Sequence, residues 1–309
     1  MKELVVISGK GGTGKTSLVA SFAALARPIV VADCDVDAAD LHLVLSPEIR
    51  RRESFSGGKQ ARIRPEACTG CGQCERLCRF DAIGHGGVGN AVTARTYRID
   101  PIACEGCGVC AWFCPARAID FGPVVNGEWF VSDTRCGPMV HARLGIAQEN
   151  SGKLVHTVRT AARELAETQR SEWLLVDGSP GTGCPVIASI TGADLVLIVT
   201  EPTLSGLHDL DRVAQLTHHF DIPAMVCVNK WNLNQELADQ IERQAARRGL
   251  PAAGRVRYDS AVTKAQVRRQ SVVEYQAKGC ADDIRIAWQQ VAEVLLSDGH
   301  VHGPAIPSS

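Results

Sequence analysis

The chain has 309 residues, with 33 Lys+Arg against 34 Asp+Glu, and a formal net charge of −1. At about 150 residues per domain, the length suggests one large domain or two ordinary ones. The hydrophobic share of 45% and charged share of 22% support a packed core over wholesale disorder, and the charge balance excludes a strongly basic nucleic-acid binder as the default.

The first predicted element is a strand from Glu3 to Ser8, followed by a glycine loop and a helix from about Lys15 to Ala26. The N-terminus meets that glycine-rich stretch too soon for a secretory signal, and no apolar run approaches the roughly 18 residues of a membrane span. A second strand covers Pro28 to Asp33, so the chain opens on a strand–helix–strand unit of the kind that builds parallel sheets. From Ser46 to Ala67 the sequence turns polar and irregular, with Arg50-Arg51-Arg52 and Gly57-Gly58. It reads as a solvated linker; the alternative is a basic dock for an acidic redox partner. A cysteine-rich window follows and ends near Gly122. Helical spacing resumes over Val155 to Thr168. Short apolar runs at Trp173 to Asp177, Asp194 to Thr200 and Ala224 to Asn229 read as buried parallel strands. Helices are expected over Gly206 to Phe220, Asn234 to Arg248 and Asp282 to Leu296. The last of these is mildly amphipathic, as a core-packing helix is. The tail over 298–309, rich in Gly, Pro and Ser, is expected to be disordered. The expected fold class is therefore α/β with a mostly parallel sheet. It comes in two pieces, 1–50 and 123–297, interrupted by a small metal-binding module over 60–122.

The glycine loop, Gly9-Lys10-Gly11-Gly12-Thr13-Gly14-Lys15-Thr16, satisfies G-x-x-x-x-G-K-S/T between a predicted strand and helix, the context a P-loop requires. Its glycines let backbone N–H groups approach a polyphosphate at the positive end of a helix. Lys15 would reach the β- and γ-phosphates, Thr16 would bind Mg²⁺ and Ser17 would contact the α-phosphate. The stretch also fits G-x-G-x-x-G with Asp33 about 20 residues on, but a dinucleotide loop has no need of the Lys-Thr that follows. A nucleotide hydrolase needs a carboxylate for the metal's water shell, and Asp177, ending an apolar run, is the candidate. The following Gly178-Ser179-Pro180-Gly181 reads as a loop able to sense a γ-phosphate. Asp33 and Asp35, at the same edge of the sheet, are candidates to position water or metal. Val228-Asn229-Lys230-Trp231-Asn232 resembles the guanine-binding N-K-x-D box with Asn for Asp. An amide cannot accept both guanine N–H groups equally, which favours ATP over GTP.

Eight of the 13 cysteines lie between Cys68 and Cys114. A disulfide scaffold would be short and secreted, so the cluster reads as metal-binding in a reducing, cytoplasmic setting. The runs Cys68-x2-Cys71-x2-Cys74-x3-Cys78 and Cys104-x2-Cys107-x2-Cys110-x3-Cys114-Pro115 repeat at an offset of 36 residues. This is the spacing of a bacterial two-cluster ferredoxin, in which the fourth cysteine of each run ligates the other cluster. One 4Fe-4S cluster would use Cys68, Cys71, Cys74 and Cys114; the other would use Cys104, Cys107, Cys110 and Cys78. Zinc, commonly held by two separated C-x2-C pairs, is the alternative. Arg79 stands where a proline usually follows the first run.

With Lys10 as a second lysine in the loop, the Asp33-Cys34-Asp35 strand end and the Asp177-Gly178-Ser179-Pro180-Gly181 stretch, the chain resembles the MinD/ParA class of deviant P-loop ATPases. That class includes the nitrogenase iron protein and the Mrp-type iron–sulfur carriers. The two modules together, with Gly137 to Leu144 and Glu149 to Val155 after the insert, resemble members of that class carrying an inserted ferredoxin domain. The resemblance implies an ATP-sandwich homodimer in which Lys10 reaches the partner's phosphates. It further implies that Asp35 orients attacking water, Asp177 holds Mg²⁺ through water, and Asn229 reads adenine.

The leading functional expectation is ATP-gated electron transfer through the two clusters to a redox partner, argued by analogy of architecture. One alternative is an ATPase that assembles or carries a cluster or metallocofactor. The other is a ParA-like positioning or regulatory ATPase with redox-sensing clusters. Cys184, seven residues after Asp177, and Cys136 are candidates for a subunit-bridging cluster; the competing reading is incidental or buried thiols. Cys34, Cys227 and Cys280 lie in apolar stretches and read as core cysteines.

Overall fold

The computed structural model describes residues 1–145 and 150–297; the tail expected to be disordered and Glu149 lie outside the described residues. In chain order the elements are β1 (Lys2–Ser8), α1 (Lys15–Leu25), β2 (Ile29–Asp33), α2 (Leu41–Leu45), β3 (Glu48–Phe55), β4 (Gly58–Ile63), α3 (Gln73–Leu77), β5 (Ile83–Gly87) and β6 (Thr96–Ile99). Next come α4 (Val109–Trp112), β7 (Ile119–Val124), β8 (Gly127–Asp133), β9 (Pro138–Leu144), α5 (Ser151–Thr168), β10 (Trp173–Pro180), α6 (Cys184–Ile190) and β11 (Leu195–Thr200). The chain continues with α7 (Leu204–His219), β12 (Ala224–Asn229), α8 (Gln235–Arg247), β13 (Ala252–Val256), α9 (Ala261–Val267), α10 (Val272–Tyr275) and α11 (Cys280–Leu296).

The chain divides into two compact units. The first comprises Met1–Glu53, Trp129–Arg143 and the chain from Ser151 on; the second comprises Ser54–Glu128 with Leu144, Gly145 and Asn150.

The large sheet has the order β13-β12-β11-β1-β10-β2-β9-β8-β3. Every step from β13 through β9 is parallel. Helices on both faces are what such strands need, and the apolar runs behave accordingly: all of Leu195–Thr200 and Ala224–Asn229 is buried. The connection from β1 passes β10 to reach β2, whereas the connection from the adjacent β10 passes back across β1 to reach β11, so the two neighbours send their chains in opposite directions. The carboxyl end of β1 therefore sits at a switch point, where a crevice opens. Ile284, Ala287, Val291 and Leu295 of α11 are buried in the core, and Trp288 packs against Phe22 and Trp173 at ring-centroid distances of 5.2 and 5.3 Å.

Three expectations need correction. The supposed linker over Ser46 to Ala67 holds two strands, β3 and β4. Charge hides the first of them from a hydrophobicity reading, because β3 is a sheet edge and charged side chains suit an edge. Its arginines have partners within their own unit. Arg50 pairs with Asp133 at 2.7 Å, while Arg51 and Arg52 lie over Trp129 and Phe130. Asp177 does not end its strand, because β10 runs on to Pro180 and turns only at Gly181, with φ of 94°. Gly178 permits this: a Cβ there would meet Ile7 and the Val6 carbonyl of β1 within about 3 Å. Finally, α2, β8, β9, α6, β13, α9 and α10, and the elements of the cysteine window from α3 to β7, have no counterpart among the expected elements.

In the second unit β4 pairs antiparallel with β7, and β5 with β6. Each cysteine run leads into a short helix, α3 after Gly72 and α4 after Gly108. The unit's small core contains Ala61, Ile63, Ala82, Ile83, Tyr97, Ile99 and Ala118, with Cys68 and Cys110 among them. Cys74, Cys78, Cys104 and Cys114 pack against it, partly buried.

Candidate functional site

The loop between β1 and α1 opens a cleft of about 670 Å³ lined by Ser8, Gly11 to Ser17, Asp35 and, opposite them, Gln266, Val267 and Arg269. That volume lies within the roughly 300–1,000 Å³ of small-molecule sites. The loop glycines have separate reasons. Gly12 and Gly14 have φ of 80° and 87°, a region that costs any residue with a Cβ. A side chain on Gly9 would run into Asp209 of α7, and one on Gly14 into the Asn229 amide. Gly11 faces open space, leaving the backbone accessible to a bulky anion.

Lys15, the first residue of α1, is buried beneath the loop. Its ammonium donates to Asp177 Oδ1 at 2.5 Å and to Asp35 Oδ2 at 3.3 Å. Asp33 lies beside Asp177 in the β2–β10 register and accepts the Asp35 N–H at 3.2 Å. Burial works against the Lys15 charge, yet Asp177, Asp35 and Asp33 outweigh it and hold the ammonium above its ordinary range. Burial, then Asp177, pushes Asp33 well up; burial raises Asp35 too, against the pull of Lys15. Thr13 Oγ1, Asp33 Oδ2 and Asp177 Oδ2 are buried with no hydrogen-bond partner in the protein. Buried polar atoms rarely stay unsatisfied. Two orphaned carboxylate oxygens beside a phosphate-type loop, with Thr16 on the cleft wall, fit a hydrated Mg²⁺ accompanying a polyphosphate.

Lys10, on the outer half of the loop, bonds within its own chain to Glu201 Oε1 at 2.6 Å, Ser205 Oγ at 2.9 Å and Thr203 Oγ1 at 3.3 Å. Lys230 takes the other oxygen, Glu201 Oε2, at 3.1 Å and also donates to the Gly12 carbonyl at 2.8 Å. Burial opposes the Glu201 charge, but the two lysines prevail and keep its carboxyl below the usual range.

Asn229 is not among the residues lining the cleft. Its Nδ2 donates to the Thr13 carbonyl at 2.7 Å and its Oδ1 accepts the Lys230 N–H at 3.0 Å. It braces the loop from β12. Part of the cleft wall comes from α9 and the turn after it, where Gln266 donates to Ser17 Oγ at 3.0 Å. Gln266, Arg269 and Glu201 escaped the sequence reading because they match no short motif. Asn229→Ala is therefore expected to destabilise the first unit by about 1–3 kcal/mol, the cost of a buried group left unpaired. It should also weaken ATP and GTP binding in equal proportion. Urea unfolding and parallel titrations check this; a selective loss of ATP binding would restore Asn229 as a base reader.

The two bridging-cluster candidates are not brought together. Cys136 is buried and precedes β9, whose register with β2 puts it near the amino edge of the sheet. Cys184 is exposed at the start of α6, beyond the carboxyl end of β10. Cys34, Cys227 and Cys280 are fully buried; burial first, with nearby acids, pushes the Cys227 and Cys280 thiols up to about 12.

In the second unit, Cys104, Cys107, Cys110 and Cys78 line one pocket, along with Ala61, Phe80 and Ile83. Three cysteines of the second run thus meet the fourth of the first. The thiol of Cys74, which packs against the same small core that contains Cys68, is pushed up to about 11 by burial first. Gly70, Gly72, Gly106 and Gly108 have φ between 63° and 77°, which wraps each run in left-handed turns that favour glycine. Among the described residues, no group of three or more His, Cys, Asp or Glu is placed to hold a single metal ion, and no helix is long and apolar enough to cross a membrane.

Comparison with known proteins places these features in context. A family profile described as CobQ/CobB/MinD/ParA nucleotide binding domain matches residues 4–272. The uncharacterized protein MJ0578 of Methanocaldococcus jannaschii is 32% identical over 236 residues, spanning 75% of this chain and 79% of that protein. Among solved structures, the cell division ATPase MinD of Pyrococcus furiosus matches with a TM-score of 0.55 and 14% identity. That match covers 95% of this chain and 99% of that one. The MinC:MinD cell division protein complex of Aquifex aeolicus matches with a TM-score of 0.56 and 16% identity, over 100% and 99% of the two chains. At these identities the likeness is one of fold.

Proposed function

The chain belongs to the CobQ/CobB/MinD/ParA nucleotide-binding family, and from that premise we propose that it is a Mg²⁺-dependent ATPase working as an ATP-sandwich homodimer, with two 4Fe-4S clusters carried by its cysteine-rich unit. Hydrolysis of ATP would depend on its own residues in distinct roles. The backbone N–H groups from Gly11 to Gly14 and the Lys15 ammonium bind the phosphates. Thr16 and Asp177 would hold Mg²⁺, Asp177 through water, and the ion would supply charge neutralisation at the phosphates. Asp35, at the cleft wall and raised by burial, orients the attacking water. Lys10 answers the phosphates of the second copy.

Cys68, Cys71, Cys74 and Cys114 would hold one cluster, and Cys104, Cys107, Cys110 and Cys78 the other; the clusters would supply one-electron storage. The observation that carries this reading is the pocket where Cys78 joins Cys104, Cys107 and Cys110 across the internal repeat. On it rests the first reading of purpose, electron delivery gated by ATP. The second reading is a positioning or regulatory ATPase that uses the clusters as a redox sensor. It is favoured by the cell-division proteins among the structural neighbours.

The deciding experiment measures ATP hydrolysis and ATP-dependent self-association in oxidised and dithionite-reduced protein, together with electron release to a dye. Cluster re-oxidation that needs ATP supports electron delivery. Self-association that responds to redox state, with re-oxidation indifferent to ATP, supports the regulatory reading. A protein that lacks iron after anaerobic purification rules out both.

A further inference from the structure

The Lys10 contacts carry an inference that rests on the homodimer reading and goes beyond it. We infer that Glu201 is a positioning residue that holds Lys10 in its own chain, and that exchange of this carboxylate for a phosphate of the second copy is part of dimer closure. Lys10 is fully occupied within its chain: Glu201, Ser205 and Thr203 supply three oxygens within 3.3 Å. A lysine so held cannot also serve another molecule's nucleotide.

The holder is built on regular secondary structure. Glu201 directly follows β11, and Thr203 caps α7 by accepting the Gly206 N–H at 3.0 Å, so strand and helix fix the partners of Lys10. The Glu201 side chain is only 16% exposed. Stranding its carboxylate would be costly, since a buried charge that loses its partner keeps the desolvation penalty. Lys230 removes that obstacle. It already bonds the second carboxylate oxygen, so Glu201 stays paired when Lys10 leaves. Lys230 also has φ of 57°, unusual for a residue with a Cβ, and from there its ammonium touches both Glu201 and the loop carbonyl of Gly12. One carboxylate thus joins two lysines that both contact or belong to the loop, a permanent one and an exchangeable one.

The test uses the full chain with E201Q, which removes the charge at similar size, and E201D, which keeps the charge but shortens its reach. K10A serves as the background control. The first measurement is acylation of Lys10 by acetic anhydride in nucleotide-free protein, read by mass spectrometry. E201Q and E201D should both raise its rate about three-fold, the scale of one modest ion pair. The second is sedimentation with Mg²⁺-ATP, where the concentration for half-dimerisation should fall about ten-fold, within the range of one coupling contact. That shift should vanish when E201Q is placed in the K10A background.

Unchanged acylation in both variants overturns the inference. So does a dimerisation shift that survives in K10A, because Glu201 would then act through the fold. If wild type and E201Q both remain monomeric in ATP, the homodimer reading and the closure role fail together, and the acylation rate still decides whether Glu201 restrains Lys10.

Discussion

Lys15→Met is expected to lower ATP hydrolysis at least about a hundred-fold, the scale of losing one preorganised charge at a transition state. It should also destabilise the first unit by about 3–5 kcal/mol, the cost of breaking a buried ion pair from one side. The second effect follows from geometry. Asp33, Asp35 and Asp177 all act on the single Lys15 ammonium, which is 5% exposed. Without it, three carboxylates face one another in low dielectric. Asp33 and Asp35, already raised by burial, would be raised further by the loss of the Lys15 charge, so their protonated forms would favour the fold. The deficit should therefore shrink as pH falls from 8 towards 5, because protonation relieves the repulsion. Phosphate release and urea unfolding at the two pH values measure both effects. Retained hydrolysis would remove Lys15 from the phosphate site, and a pH-independent deficit would refute the electrostatic account.

Cys78→Ser should remove about half of the iron, leaving about four atoms per chain instead of about eight, and the site it empties should be the one formed by the distant second run. The reason is the pocket shared by Cys78, Cys104, Cys107 and Cys110. A C78S/C107S double variant should then retain as much iron as either single variant, while C78S/C71S should retain almost none. Ligation of each run by itself predicts the reverse, with C78S/C71S keeping half. Zinc in place of iron and sulfide would end the cluster proposal. Stripping the iron should also loosen the second unit, since six of the cysteines lie in or against its small core. Loss of protection from hydrogen exchange in β4 to β7 would report it.

What could be read from the chain divides along physical lines. The central strands were legible because parallel strands covered on both faces become continuous apolar runs, and Leu195–Thr200 shows this best. The edge strand β3 was not, since its Arg50-Arg51-Arg52 segment gains its apolar contacts by stacking on Trp129 and Phe130 of another strand. The expected loop after Asp177 was read from its glycines. Gly178 instead serves close packing of β10 on β1, a demand that arises only once the two strands are neighbours.

The same division holds at the site. Phosphate recognition uses consecutive backbone groups, so the Gly9 to Thr16 motif, with Lys15 at its end, was complete within one stretch of sequence. The cysteine spacing was equally local and named all eight proposed ligands. The tertiary structure decided which side chains occupy one another. It set Asn229 to bracing the loop, brought Gln266 and Arg269 to the cleft, separated Cys136 from Cys184 and paired Lys10 with Glu201. These partners lie far apart in the chain, Lys10 and Glu201 by 191 positions. Motifs record what a short backbone segment must do, whereas an ion pair or a shared pocket exists only after the sheet order has chosen the neighbours.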